Sequence, residues 1–181
     1  MGKLPINYSS INRNAEEIAE GIYINMGKQF PNLELLLKWA EGNFDTTITI
    51  SRTNLNCSGV IFYDPATKGW KLQLNSSEPS CRQRFTFCHE IAHLMMSKYL
   101  VFGFSIEGEN QKKLLERFCD RFAAAFLMPS ELFINKWKAL SNKDLLKVAR
   151  IARYFSVSID SVKYRAAELH LLEGKIWGSN C

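Results

Sequence analysis

Apolar side chains recur every three or four residues across residues 14–28, at Ala15, Ile18, Ala19, Ile22 and Met26, which predicts an amphipathic helix. A shorter helix is expected after Pro31, with Asn32 as its N-cap and Gly42 as its stop behind Leu33, Leu36, Leu37 and Ala40. The period then falls to that of extended chain. Residues 46–50, 59–63 and 70–74 are rich in β-branched and aromatic side chains, with turn signals at Asp64-Pro65 and Lys68-Gly69, and predict a small antiparallel sheet of three strands.

Helical periodicity returns behind Ser76-Ser77-Glu78-Pro79, a polar cap followed by an acid and a proline suited to a first turn. Residues 82–96 carry apolar side chains around most of the helix circumference, among them Phe85, Phe87, Ile91, Leu94 and Met95. A helix of that kind is buried, so its few polar residues call for a reason. A loop is expected over residues 98–110. A long helix follows over 111–127, with Leu115, Phe118, Phe122, Ala125 and Phe126 inward, and then a short one over 131–139. Ser141-x-x-Asp144, a variant capping box, predicts a helix running to Phe155, and Ser156-Val157-Ser158 separates it from a last helix over 159–172. The order of elements is that of an α+β chain.

Composition narrows the function classes. With 46% hydrophobic and 23% charged residues in 181, the chain has enough apolar surface to fold and is no disordered or low-complexity segment. The net charge of +5, from 23 Lys and Arg against 18 Asp and Glu, is scattered without a basic run of five, which makes it a weak pointer to nucleic acid. Five cysteines without a C-x-x-C pair suit a reduced, cytoplasmic setting. The first residues lack a signal-peptide core, and Glu34, Lys38 and Glu41 interrupt or end the apolar stretch at 33–40 well short of a bilayer span, so no membrane association is expected.

The chemistry lies in the buried helix. His89-Glu90-Ile91-Ala92-His93 is an H-E-x-x-H sequence that uses two of only three histidines in the chain. Residues four apart share a helix face, so both imidazoles can reach one metal ion, while Glu90, turned by about 100°, can reach a water on that ion. Neutral imidazole suits Zn²⁺, and a carboxylate suits the proton of a metal-acidified water. The rival reading, two core histidines bonded to carbonyls, leaves polar groups in an apolar helix without compensation.

A catalytic zinc needs a third protein ligand. The metzincin pattern is excluded, because Met96 and Tyr99 stand where it requires Gly and His. His170 lies far along the chain, so the favoured source is Glu116 on the next long helix, with Asp120 one turn later placed to hold the second ring nitrogen of a ligand histidine. Glu107, Glu109 and Asp120 stay open as other third ligands. Glu116 and Asp120 also read as solvated acids beside Lys112, Lys113, Arg117 and Arg121.

Two stretches together resemble the ImmA/IrrE family of metallopeptidases: Arg82-Gln83-Arg84-Phe85-Thr86-Phe87-Cys88-His89-Glu90-Ile91-Ala92-His93, and Glu116-Arg117-Phe118-Cys119-Asp120-Arg121-Phe122 continuing to Met128-Pro129. Ser58-Gly59 and Leu74-Asn75 fit the same layout, so the resemblance covers roughly residues 11–129. Cys88, Ala92 and the Cys119-Asp120 pair depart from the Ala, Gly and Ala-Asn usual at those places, and Asp120 adds charge beside the metal. The resemblance implies a zincin-like core, its sheet packed on the H-E-x-x-H helix. It further implies a gluzincin-like zinc endopeptidase that cleaves a partner helix-turn-helix transcriptional repressor, with His89, His93 and Glu116 as ligands and Glu90 as general base. The edge of the strand ending at Leu74 and Asn75 would then pair with the substrate backbone. Arg84 and Tyr99 are candidates for stabilising the oxyanion.

The peptidase domain is assigned to residues 1–137 and a C-terminal helical segment to 138–181. That segment has a helix-turn-helix pattern made basic by Lys147, Arg150, Arg153, Lys163 and Arg165. It reads either as a cap on the peptidase core or as a surface for DNA or a partner protein. A non-proteolytic regulator with a structural metal is the alternative function.

Overall fold

In a computed structural model, which describes residues 8–100, 109–141 and 144–172, the elements follow the helix–sheet–helix order of the hydrophobic pattern. The chain forms two compact units, Met1–Pro129 and Ser130–Cys181.

The first unit opens with α1 (Tyr8–Asn25) and α2 (Leu33–Phe44). The Asn32 side chain caps α2 by accepting from the Glu34 N–H at 2.8 Å, as the sequence predicts. Gly42 does not stop this helix. It lies inside the last turn, and the chain leaves at Asp45, whose φ of 46° is left-handed and whose N–H returns to the Glu41 carbonyl.

Three strands follow, β1 (Ile48–Thr53), β2 (Gly59–Asp64) and β3 (Gly69–Asn75). The sheet is mixed and not antiparallel throughout. Its order is β1-β3-β2, with β1 parallel to β3 and β2 antiparallel to it. Strong local turn signals suggest successive hairpins, but β2 crosses to the far side of β3. β3 is therefore the central strand, with both backbone edges already paired, Leu74 opposite Arg52 and Gly59, and Asn75 opposite Thr53.

Helices α3 (Ser80–Leu100) and α4 (Glu109–Leu127) complete the unit. α3 packs against α4 on one side and against α2, β2 and β3 on others, while α1 lies along α4. This accounts for the apolar circumference of α3: Phe87, Cys88, Ile91, Leu94 and Met95 are all buried, as are Phe118, Phe122 and Phe126 of α4. An ion pair from Arg121 to Glu16 at 3.3 Å and a hydrogen bond from Arg117 to Asn12 at 3.0 Å tie α4 to α1. Among the described residues no helix is long and apolar enough to cross a membrane, and Cys57, Cys81, Cys88 and Cys119 are free thiols.

Gly59 marks where β2 meets α3. A Cβ there would stand 2.5 Å from Thr86 Cγ2 and 3.0 Å from the Gln73 carbonyl oxygen. Gly59→Ala is expected to destabilise the protein by about 1–3 kcal/mol in denaturant unfolding, as overpacking does. Adding Thr86→Ser, which can withdraw the methyl, should recover part of that loss in a double-mutant cycle.

The second unit contains α5 (Ser130–Lys138), α6 (Lys147–Phe155) and α7 (Ile159–Glu168). Phe133 stacks on both Trp137 and Phe155, and Val162 and Ala166 of α7 are buried in the unit. The capping box expected at Ser141-x-x-Asp144 does not start α6. Asp144 instead accepts from the Leu146 N–H at 2.9 Å, closing a turn just ahead of the helix. Ser156 takes a left-handed φ of 55°, and Ser158 caps α7 by accepting from the Ser161 N–H. α7 ends at Glu168 rather than 172, and His170 has a left-handed φ of 54°.

Candidate metal centre

The helical period places His89 and His93 on the side of α3 that faces α4, and Glu90 on the side that faces β2. The two histidine Nε2 atoms lie 2.9 Å apart. Glu116 reaches across from α4, with Oε2 3.3 Å from His89 Nε2 and Oε1 3.4 Å from His93 Nε2. One turn further along α4, Asp120 Oδ1 is 2.9 Å from His89 Nδ1. That contact directs the His89 proton to Nδ1 and turns the Nε2 lone pair inward.

The donor set fits a divalent cation. Two ring nitrogens and a carboxylate converge on one point with too few protons to bridge every contact, so without a cation their lone pairs oppose one another. Ligands about 2.0–2.1 Å from a tetrahedral Zn²⁺ stand about 3.3 Å from each other, close to the separations present here.

Burial and charge set the protonation of these groups. Burial lowers the His89 pKa, but the Asp120 hydrogen bond and the charges of Asp120, Glu90 and Glu116 more than reverse that and leave it raised. His93 is lowered by burial and by its neighbour His89. Glu90 is raised, chiefly by burial and further by Glu116, while His89 and the Ile61 backbone N–H work the other way.

A cleft of about 660 Å³ opens over these residues, walled by β2 at Gly59, Val60 and Ile61, by Trp70, and by Phe85 of α3. His89, Glu90, His93, Glu116 and Asp120 all border it. Leu74 and Asn75 do not. Leu74 is buried, and the Asn75 amide donates to the Leu55 and Cys57 carbonyls, so this pair anchors the segment between β1 and β2. The edge strand at the cleft is β2, with Trp70 of β3 beside it, and the hydrophobic pattern alone does not single β2 out because it suggests β3 at the sheet edge.

Arg84 is not on the cleft wall either. Its Nε and Nη2 are buried without a hydrogen-bond partner among the described residues. The side chain of Tyr99, and Glu107, lie outside the described residues. Glu109 sits at the start of α4 paired with Lys113 at 2.9 Å, away from the cleft. Cys119 is a donor that sequence reasoning missed. Its sulfur belongs to a cluster with His89 and His93 in which one donor atom from each lies within 4.8 Å of the others. Its position three residues after Glu116 is the signal that could have found it.

An H-E-x-x-H helix whose histidines face a carboxylate on the neighbouring helix defines the class, a metal centre of the peptidase type. The profile of the Peptidase_M78 family, described as the IrrE N-terminal-like domain, matches residues 43–167, and the chain belongs to this metallopeptidase family. It is 34% identical over 110 residues to the radiation response metalloprotease IrrE of Deinococcus deserti, a match that covers 59% of this chain and 38% of that protein. The chain thus spans well under half of that relative's length. A Mycobacterium tuberculosis transcriptional regulator shares the fold, with a TM-score of 0.63 and 18% identity over 90% of this chain and 52% of that one.

Proposed function

We propose that the chain is a zinc-dependent endopeptidase with a zincin-like core, acting in the cytoplasm, and that it cleaves a partner helix-turn-helix transcriptional repressor. The observation that carries the reading is the convergence of His89, His93 and Glu116 beside a Glu90 that points to the opposite wall of the same cleft. His89, His93 and Glu116 would hold Zn²⁺, which when bound polarises a carbonyl and acidifies water. Glu90 takes the proton of the attacking water and delivers it to the leaving amine. The Ile61 N–H beside its carboxylate favours the charged form of Glu90, against the upward push of burial. Asp120 holds His89 in the tautomer that presents Nε2.

The substrate strand belongs on β2. The Ser58 carbonyl accepts from the Asn75 N–H, so the two-residue alternation turns Val60 toward β3 and leaves Gly59 and Ile61 facing outward along the cleft. An extended peptide can add to that edge with its scissile bond over the histidines.

Loss of the Asp120 contact should be felt through His89. Asp120→Ala is expected to lower zinc affinity about 10–100-fold, measured by competition with a chromophoric chelator. Asp120→Asn keeps an acceptor for Nδ1 and should lose less.

The second unit supports a different reading, a regulator that binds DNA through α6, the Ser156–Ser158 turn and α7. The exposed face of α7 carries Asp160, Lys163, Tyr164 and Glu168, a mixed-charge surface ill suited to phosphates. Incubation of the zinc-loaded full chain with a candidate helix-turn-helix repressor, followed by mass spectrometry, separates the two. Defined fragments support the peptidase. An intact repressor together with a salt-sensitive shift of duplex DNA supports the regulator.

A further inference from the structure

The proposed mechanism leaves one donor at the metal centre unused. Cys119 follows Glu116 by three residues on α4, so both side chains project toward α3. They do so at different depths. The Glu116 side chain is 57% exposed at the mouth of the cleft, whereas Cys119 is wholly buried. The Cys119 sulfur, a nitrogen of His89 and a nitrogen of His93 lie within 4.8 Å of one another, so an ion held by the two imidazoles would have the Glu116 carboxylate toward its exposed side and the thiol toward its buried side. Carboxylate is a hard donor and thiolate a soft one, and the centre therefore offers two chemically distinct third ligands.

We propose that Cys119 is a ligand at this centre, giving it a second coordination mode through His89, His93 and Cys119 that favours soft metal ions. The inference rests on the assignment of His89 and His93 as metal ligands. On ligation the S–H proton passes to solvent and a sulfur–metal bond forms, with no change of oxidation state. Only if Glu116 were bound as well would side chains fill all four positions of a tetrahedral ion and leave none for water. An Ala at this place removes the donor and leaves only the carboxylate mode.

The test is to load the metal-free full chain with Co²⁺ and record its absorption spectrum, alongside Cys119→Ala and Cys119→Ser. The wild-type chain should show a sulfur-to-cobalt charge-transfer band in the near ultraviolet, absent from both variants, while the visible bands of a tetrahedral ion persist in all three. Cys57, Cys81, Cys88 and Cys181 remain in every sample, so the difference reports Cys119 alone. Cys119→Ala should also remove most of the preference for Cd²⁺ over Zn²⁺, because the soft donor that separates the two ions is gone. A wild-type spectrum without the charge-transfer band overturns the proposal whether or not the variants fold, and so does an unchanged Cd²⁺ preference. Failure of the metal centre itself looks different: cobalt would bind His93→Gln as tightly as wild type, with no visible bands assignable to the histidine pair.

Discussion

Glu90→Gln is expected to leave zinc bound at wild-type stoichiometry while lowering peptide-bond hydrolysis by about 10²–10⁴-fold, the usual contribution of a positioned general base. The substitution is nearly isosteric and keeps an oxygen beside the Ile61 N–H, so the packing of α3 on β2 should be kept. What disappears is the capacity to take a proton. Glu90 faces β2 while the histidines face α4, and metal retention should therefore be indifferent to the change. The check pairs metal analysis with a cleavage assay on the same preparation. Undiminished cleavage removes Glu90 from the reaction, and loss of zinc would make it a ligand instead.

Glu116→Ala carries the second large effect. Left with two imidazoles and the buried Cys119 thiol, the centre should bind zinc more weakly by at least the roughly 10–100-fold typical of losing an outer partner, and the ion should be stripped by dialysis against a weak chelator. The carboxylate sits within 3.3 and 3.4 Å of the two Nε2 atoms, whereas Asp120 is engaged with His89 Nδ1 and Glu109 with Lys113. Full zinc occupancy in Glu116→Ala would transfer the third-ligand role to Asp120 or Cys119, the other donors α4 presents near the histidines.

Much of this centre is legible in the sequence because its parts obey helical spacing. The 3.6-residue period alone puts His89 and His93 on one face and Glu90 on another, and the same rule stacks Glu116 with Asp120. That α3 lies on α4 is implied by the apolar run around His89, since a helix buried on most sides has neighbours on most sides.

The sheet is less legible. Turn residues at Asp64-Pro65 and Lys68-Gly69 report only that the chain reverses, not which strand becomes central. The parallel pairing of Ile48 with Trp70 spans a segment that includes β2 itself, and its choice rests on burying Leu72 and Leu74. A hairpin order leaves Leu74 and Asn75 on an open edge, whereas the edge strand that borders the cleft is β2. Ser141-x-x-Asp144 misleads for a related reason: the same side-chain oxygen that caps a helix also closes a turn, and here it does the latter. Cys119 reads as a small apolar residue until its neighbours are known, and only its spacing from Glu116 marks it as a donor.

The most direct test of the central claim is an anomalous difference map collected at the zinc absorption edge from crystals of the zinc-loaded chain. One peak is predicted, within bonding distance of His89 Nε2, His93 Nε2 and a Glu116 carboxylate oxygen, in the cleft beside Glu90. A fully loaded crystal with its zinc elsewhere, or with these three side chains uncoordinated, would contradict it.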